Sequence, residues 1–206
     1  YTVQSFPGIG DDYSTTCFLQ SMMLEDRVAT SPLSDFNSLM SVILLNALSP
    51  DPVYYGDLQH INKAEKEIKV IADGTIPPSL AGKLSGGKAS FASHGIPTEG
   101  AAGGLSVNLV AKAGKGVLAR MYRKDGKFEM VMARCEIFEP SEEEIEERKK
   151  ECGIPFWPHA FVKVEGDIEK MIQNWNNEYA VLAYGEDIYD VIVDFCEIMG
   201  FKIVLP

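Results

Sequence analysis

The stretch LSVNLVAKAGKGVLARMYRKDGKFEMVMARCEIF, positions 105–138, decides the fold class. It divides into three strand-like runs, 105–112, 116–123 and 127–138. The turns between them are Ala113-Gly114-Lys115 and Lys124-Asp125-Gly126. Asp-Gly between alternating runs is a strong hairpin signal, because both residues accept positive φ. Ser106-Val107-Asn108-Leu109 and Glu129-Met130-Val131-Met132 alternate polar and apolar side chains, as half-buried antiparallel strands do. A three-strand meander is the expected centre of the molecule.

Upstream, Ser14, Thr15 or Thr16 can cap a helix reaching Leu24, and a short strand is expected at Val28-Ala29. Ser34-Asp35 then precedes an apolar helix, 36–48, ended by Ser49-Pro50-Asp51-Pro52. Leu39, Met40, Val42, Ile43, Leu44 and Leu45 leave it almost no polar face, so it reads as buried. Residues 53–58 and 68–72 read as strands. Downstream, Ser141-Glu142-Glu143-Glu144 is a capping box. Strands are expected at 160–164, 180–184 and 203–205, with helices from Asp167 to Asn174 and from Glu186 to Met199 between them. Helices first, a β-meander, then βαβαβ-like units fit an α+β domain on a Greek-key or barrel-like sheet.

Composition narrows the function. The formal net charge is −11, which argues against nucleic acid or an anionic membrane as partner. The longest apolar stretch, 39–48, is interrupted by Ser41 and Asn46 and is too short to span a bilayer. Cys17, Cys135, Cys152 and Cys196 have no C-x-x-C spacing, so free thiols in a reducing cytoplasm are the simple reading. Gly100-Ala101-Ala102-Gly103-Gly104 lacks the Lys-Ser/Thr of a phosphate-binding loop, and no Gly-x-Ser-x-Gly occurs. The abrupt opening at Tyr1-Thr2-Val3 reads as a fragment of a longer protein.

Two segments resemble the L-fucose/L-arabinose isomerase family. The first runs from Cys17-Phe18-Leu19-Gln20 through Arg27-Val28-Ala29-Thr30, Ser34-Asp35 and the apolar helix to Val53-Tyr54-Tyr55-Gly56-Asp57-Leu58. The second runs from Trp157-Pro158 to Val204, anchored by Asn174-Trp175 and Tyr184-Gly185. The resemblance implies a six-stranded Greek-key β-barrel with flanking helices at 28–206, preceded at 1–27 by the remnant of an α/β domain. It implies a homo-oligomer that isomerises an open-chain aldose to a ketose. A divalent ion, usually Mn²⁺, would hold the sugar oxygens while carboxylates move a proton through an ene-diol.

Residue by residue, the resemblance makes Asp35 the metal-binding and catalytic aspartate; a Ser-Asp pair before a helix is equally an ordinary N-cap. Tyr179 stands where the family carries its metal-binding histidine, and Leu33 stands where an acidic residue is usual. Glu178, the neighbouring hard oxygen donor, is the candidate metal ligand in place of that histidine. The first catalytic glutamate falls near Cys17, or near Asp11 or Asp12. Trp175, Tyr179 and His94 are candidates to contact the sugar, His94 from a Gly-rich loop; His60 and His159 read as exposed or structural. The isolated fragment is expected to be inactive. A relative that kept the fold and lost the metal, binding carbohydrate or assembling oligomers without catalysis, is the alternative.

Overall fold

The computed structural model describes residues 14–31, 33–93, 104–151 and 157–206. In chain order the elements are α1 (Cys17–Glu25), α2 (Phe36–Leu48), β1 (Tyr54–Asn62), β2 (Glu67–Ile71), β3 (Ser90–Ser93) and β4 (Leu105–Asn108). They continue with β5 (Gly114–Lys124), β6 (Lys127–Phe138), α3 (Ile145–Lys150), β7 (His159–Val164), α4 (Ile168–Trp175), β8 (Tyr179–Tyr184), α5 (Ile188–Met199) and β9 (Lys202–Val204). This is an α+β chain with a mostly sheet core.

Six strands pair in the order β5-β8-β1-β2-β7-β6, and β6 pairs back to β5, so the sheet closes into a ring. Every pairing around the ring is antiparallel. β9 adds to β6 in parallel, at Glu129 to Val131. Closure leaves none of the six strands without a partner on either side, which disposes of the aggregation-prone edges of an open sheet.

The Asp-Gly reading holds. β5 and β6 form a long hairpin from Lys124↔Lys127 to Gly114↔Ile137. Asp125 and Gly126 take φ of 50° and 80° at its tip. The first turn of the expected meander does not form a hairpin. β4 pairs instead with β3 in a separate two-stranded sheet, and Gly114 already belongs to β5. The backbone between them is engaged elsewhere: Ala111 N–H donates to His159 O at 2.8 Å, and Lys112 N–H to Leu80 O at 2.8 Å. The expected βαβαβ-like end is also different, since β1 and β2 lie between β7 and β8. Val28-Ala29 is not a strand. Arg27, at φ 62°, turns the chain there, and its guanidinium holds the carbonyls of Asn46, Ser49 and Pro50 at the end of α2.

Alternation along the strands divides the core in two. Tyr54, Val70, Leu118, Val131, Val162 and Leu182 belong to one cluster, together with Met171 and Trp175 of α4. Tyr55, Val117, Met121, Met130 and Val181 belong to the other, with Leu24 of α1, Val42 and Leu45 of α2, and Ile192 of α5. Both faces being covered explains why 117–122 reads as a nearly continuous apolar run.

α2 departs from the expectation of an all-round buried helix. Phe36 and Ile43 are exposed, while Ser38, Ser41 and Asn46 are buried. The polar residues face inward because each has a partner there. Ser41 Oγ accepts from Met121 N–H at 2.8 Å, Asn46 Nδ2 donates to Arg27 O at 3.0 Å, and Ser38 meets Arg120. Burial of a polar group is tolerated when it is hydrogen-bonded.

Candidate functional site

The antiparallel register brings three segments to one end of the ring. Ala119 of β5 is opposite Val181 of β8, and Tyr179 of β8 is opposite Asp57 of β1. The C-terminal part of β5, the start of β8 and the middle of β1 therefore meet there, with the start of α2 beside them. Gly56 is required at this point: a Cβ on it would stand 2.6 Å from Ile71 O, so β1 and β2 approach closely only with glycine next to Asp57.

Asp35 is the N-cap of α2. Its Oδ1 accepts from Asn37 N–H at 3.0 Å and Ser38 N–H at 3.3 Å. Its Oδ2 accepts from Ser38 Oγ at 2.6 Å and from Arg120 Nη2 at 2.7 Å. Burial raises its pKa, but the Ser38 hydroxyl and the Arg120 guanidinium outweigh it and hold the carboxyl below the ordinary 3.8. Arg120 also donates from Nη1 to Ser38 Oγ at 2.6 Å and to Tyr179 O at 3.4 Å. The arginine, with 3% of its side chain exposed, thus ties α2 to β8. Asp35 and Tyr179, from two segments separated by most of the chain, belong to one network.

Tyr179 packs its ring on Tyr55, centroids 5.8 Å apart. Burial, then the charges and hydrogen bonding of Asp57, Glu178 and Asp35, push its phenol up and keep it neutral. Glu178 lies just before β8, so strand alternation does not separate its side chain from Tyr179. Trp175 is 1% exposed and donates Nε1–H to Tyr179 O at 3.0 Å. Its ring packs in the interior cluster, where a sugar does not reach it without opening that end. His94, Asp11 and Asp12 lie outside the described residues. Cys17 is fully buried; its thiol donates to Asp73 O at 3.3 Å, and burial pushes its pKa to about 12. A neutral thiol there supplies no acid/base group at neutral pH. His159 is buried, with its pKa lowered to about 4 by burial, and His60 is exposed.

Sequence reasoning assigned no role to Asp57 or Asp73. Burial, then the charges of Asp73 and Glu178, raise the Asp57 carboxyl from 3.8 to about 7, against a lowering hydrogen bond from Gln59. Burial raises Asp73 to about 6, partly offset by hydrogen bonding from Thr75. The only sequence signal was the Gly56-Asp57 pair. Arg120 carried none, being a charged residue at an inconspicuous place in an alternating run.

The donor set around Asp35 does not suit a divalent ion. A carboxylate offers about four acceptor sites. Asp35 has four donors on it, one of them already a cation. As folded it does not fit the role of a metal ligand, since an ion would have to displace Arg120. Among the described residues no group of three His, Cys, Asp or Glu side chains converges to hold a metal.

Burial of Asp73 makes stability depend on pH. Its folded pKa lies above its unfolded value, so its stabilising contribution is complete below about pH 4 and is lost as pH rises through about 6. Asp73→Asn should be more stable than wild type at pH 8 by about 3 kcal/mol, at about 1.4 kcal/mol per pKa unit, with the difference vanishing at pH 4. Urea midpoints of both proteins across that range test it; the His159 contribution cancels between them, and removal of the Asp73 charge beside Asp57 adds to the gain at high pH. Parallel curves would show that Asp73 ionises normally.

Neither a model of a known protein family nor a curated protein sequence matches this chain.

Proposed function

We propose that the chain is the barrel-type C-terminal portion of a cytoplasmic, homo-oligomeric sugar isomerase, resembling the L-fucose/L-arabinose isomerases, with 1–27 as the remnant of a preceding α/β domain. The observation that carries the reading is the meeting of Asp35, Tyr179, Glu178 and Asp57 at one end of the ring, from the two segments that bear the resemblance.

Aldose–ketose interconversion needs a group that takes a proton from the carbon next to the carbonyl and returns it to the neighbouring carbon. A carboxyl with pKa near the working pH suits both halves of that task. Asp57, at about 7, is such a group. Tyr179, held neutral beside it, is a hydrogen-bond donor for a sugar oxygen. Asp35 and Arg120 position the start of α2 against β8, and no step is assigned to a metal.

The saturation of Asp35 by Arg120 favours a second reading, a carbohydrate-binding relative without catalysis. One experiment separates the two. The full-length protein carrying this sequence is incubated with a panel of aldoses in D₂O, with and without Mn²⁺, and C2–H loss and ketose formation are followed by NMR. Exchange at C2 of at least one aldose is expected. Saturable sugar binding without exchange would establish the second reading, and neither binding nor exchange would overturn both.

A further inference from the structure

A cleft of about 290 Å³ opens beside the β5–β6 hairpin, lined by Tyr122, Arg123, Lys124, Glu129, Lys202 and the amides of Gln173, Asn174 and Asn176. The Asp57 carboxyl does not line it. In a chain of net charge −11, three cations here face a single carboxylate. That carboxylate is already committed: Glu129 Oε2 accepts from Tyr122 Oη at 2.9 Å and Oε1 from Lys202 Nζ at 3.0 Å. Arg123 and Lys124 form no direct ion pair among the described residues, although the Lys124 charge also acts on Glu129. The carbonyl end of α4 lies alongside and offsets roughly half a charge, which leaves the cleft positive. Unpaired cations on the wall of a concave site focus the field on an anion.

The rest of the wall is suited to hydroxyls. The side chains of Gln173, Asn174 and Asn176 make no hydrogen bond to the protein among the described residues. Each amide offers one acceptor and two donors, the complement of a polyol that both gives and takes hydrogen bonds. The volume sits near the lower end of the roughly 300–1,000 Å³ typical of small-molecule sites, enough for one sugar bearing one anionic group.

We propose that this cleft binds a phosphorylated monosaccharide, with Arg123 and Lys124 on the phosphate and the Gln173, Asn174 and Asn176 amides on the sugar hydroxyls. Arg gives the phosphate a planar fork and Lys a point charge. The proposal does not depend on the isomerase reading, because Asp35, Asp57, Glu178 and Tyr179 do not line the cleft.

Calorimetric titration of the full-length protein with ribose 5-phosphate, inorganic phosphate and ribose tests it. Ribose 5-phosphate is expected to bind one to one and more tightly than either half alone. The Arg123→Gln/Lys124→Gln variant should weaken it by about tenfold or more, the loss of charge-assisted hydrogen bonds. Asn174→Ala, at a helical position where alanine is well tolerated, should weaken ribose 5-phosphate and leave inorganic phosphate unchanged. Circular dichroism checks that the variants fold. No saturable binding, or binding indifferent to the Arg123/Lys124 change, overturns the site. Phosphate alone binding as tightly as the sugar phosphate overturns the sugar half and leaves a simple anion patch.

Discussion

Asp57→Asn is expected to slow C2 proton exchange on the responsive aldose by about 10²–10⁴-fold, the usual contribution of a positioned acid/base group. Below pH 7 the wild-type carboxyl is mostly protonated, because burial and the Asp73 and Glu178 charges raise its pKa to about 7. Asparagine has the same shape and the same neutrality, so the variant should match the wild-type denaturant midpoint at pH 4 and exceed it at higher pH, where the unfolded wild-type carboxyl ionises. A lost rate would then report chemistry and not unfolding. The wild-type rate should climb as pH rises through about 7, when the carboxylate becomes available as a base, and the variant should lack that inflection. Equal rates and equal pH profiles would remove Asp57 from the mechanism and leave the binding reading.

Arg120→Met should lower stability by about 3–5 kcal/mol, the range for removing one partner of a buried ion pair, with the low end favoured because 15% of the Asp35 side chain still reaches water. The loss has three parts. Asp35 keeps its charge in a half-buried place without the guanidinium at 2.7 Å, Ser38 Oγ loses a donor at 2.6 Å, and Tyr179 O loses one at 3.4 Å. Adding Asp35→Asn should recover much of it, since asparagine caps a helix about as well as aspartate and carries no charge to strand. Urea unfolding of the single and double variants measures both. A double variant no more stable than Arg120→Met alone would place the energy in packing instead of the pair. The same geometry predicts that added Mn²⁺ leaves the wild-type melting temperature unchanged.

The elements were legible wherever local chemistry was decisive. The Asp125-Gly126 turn, the Asp35 cap and the helix that starts at Asp167 are properties of a few neighbouring residues, and each appears where the residues ask for it. The first turn of the meander was misread because Gly114 suits a turn and an extended strand equally. Only the bonds of Ala111 and Lys112 to distant carbonyls decide between them. α2 was misread for a related reason. Counting apolar residues left almost no polar face and made the whole helix buried, whereas partners on β5 and at Arg27 draw Ser38, Ser41 and Asn46 inward and leave Phe36 and Ile43 exposed.

The site divides the same way. Residue order alone determined an α+β chain, most of its strands and helices, and Asp35 as a capping carboxylate, because those depend on contacts within a turn or a strand's own period. Tertiary structure decided the closure of the six strands, the union of Asp35 with Tyr179 through Arg120, and the raised pKa of Asp57. Closure and union are matters of register between strands far apart in the chain, and a pKa depends on burial and neighbouring charge. None of these quantities exists until the ring has formed.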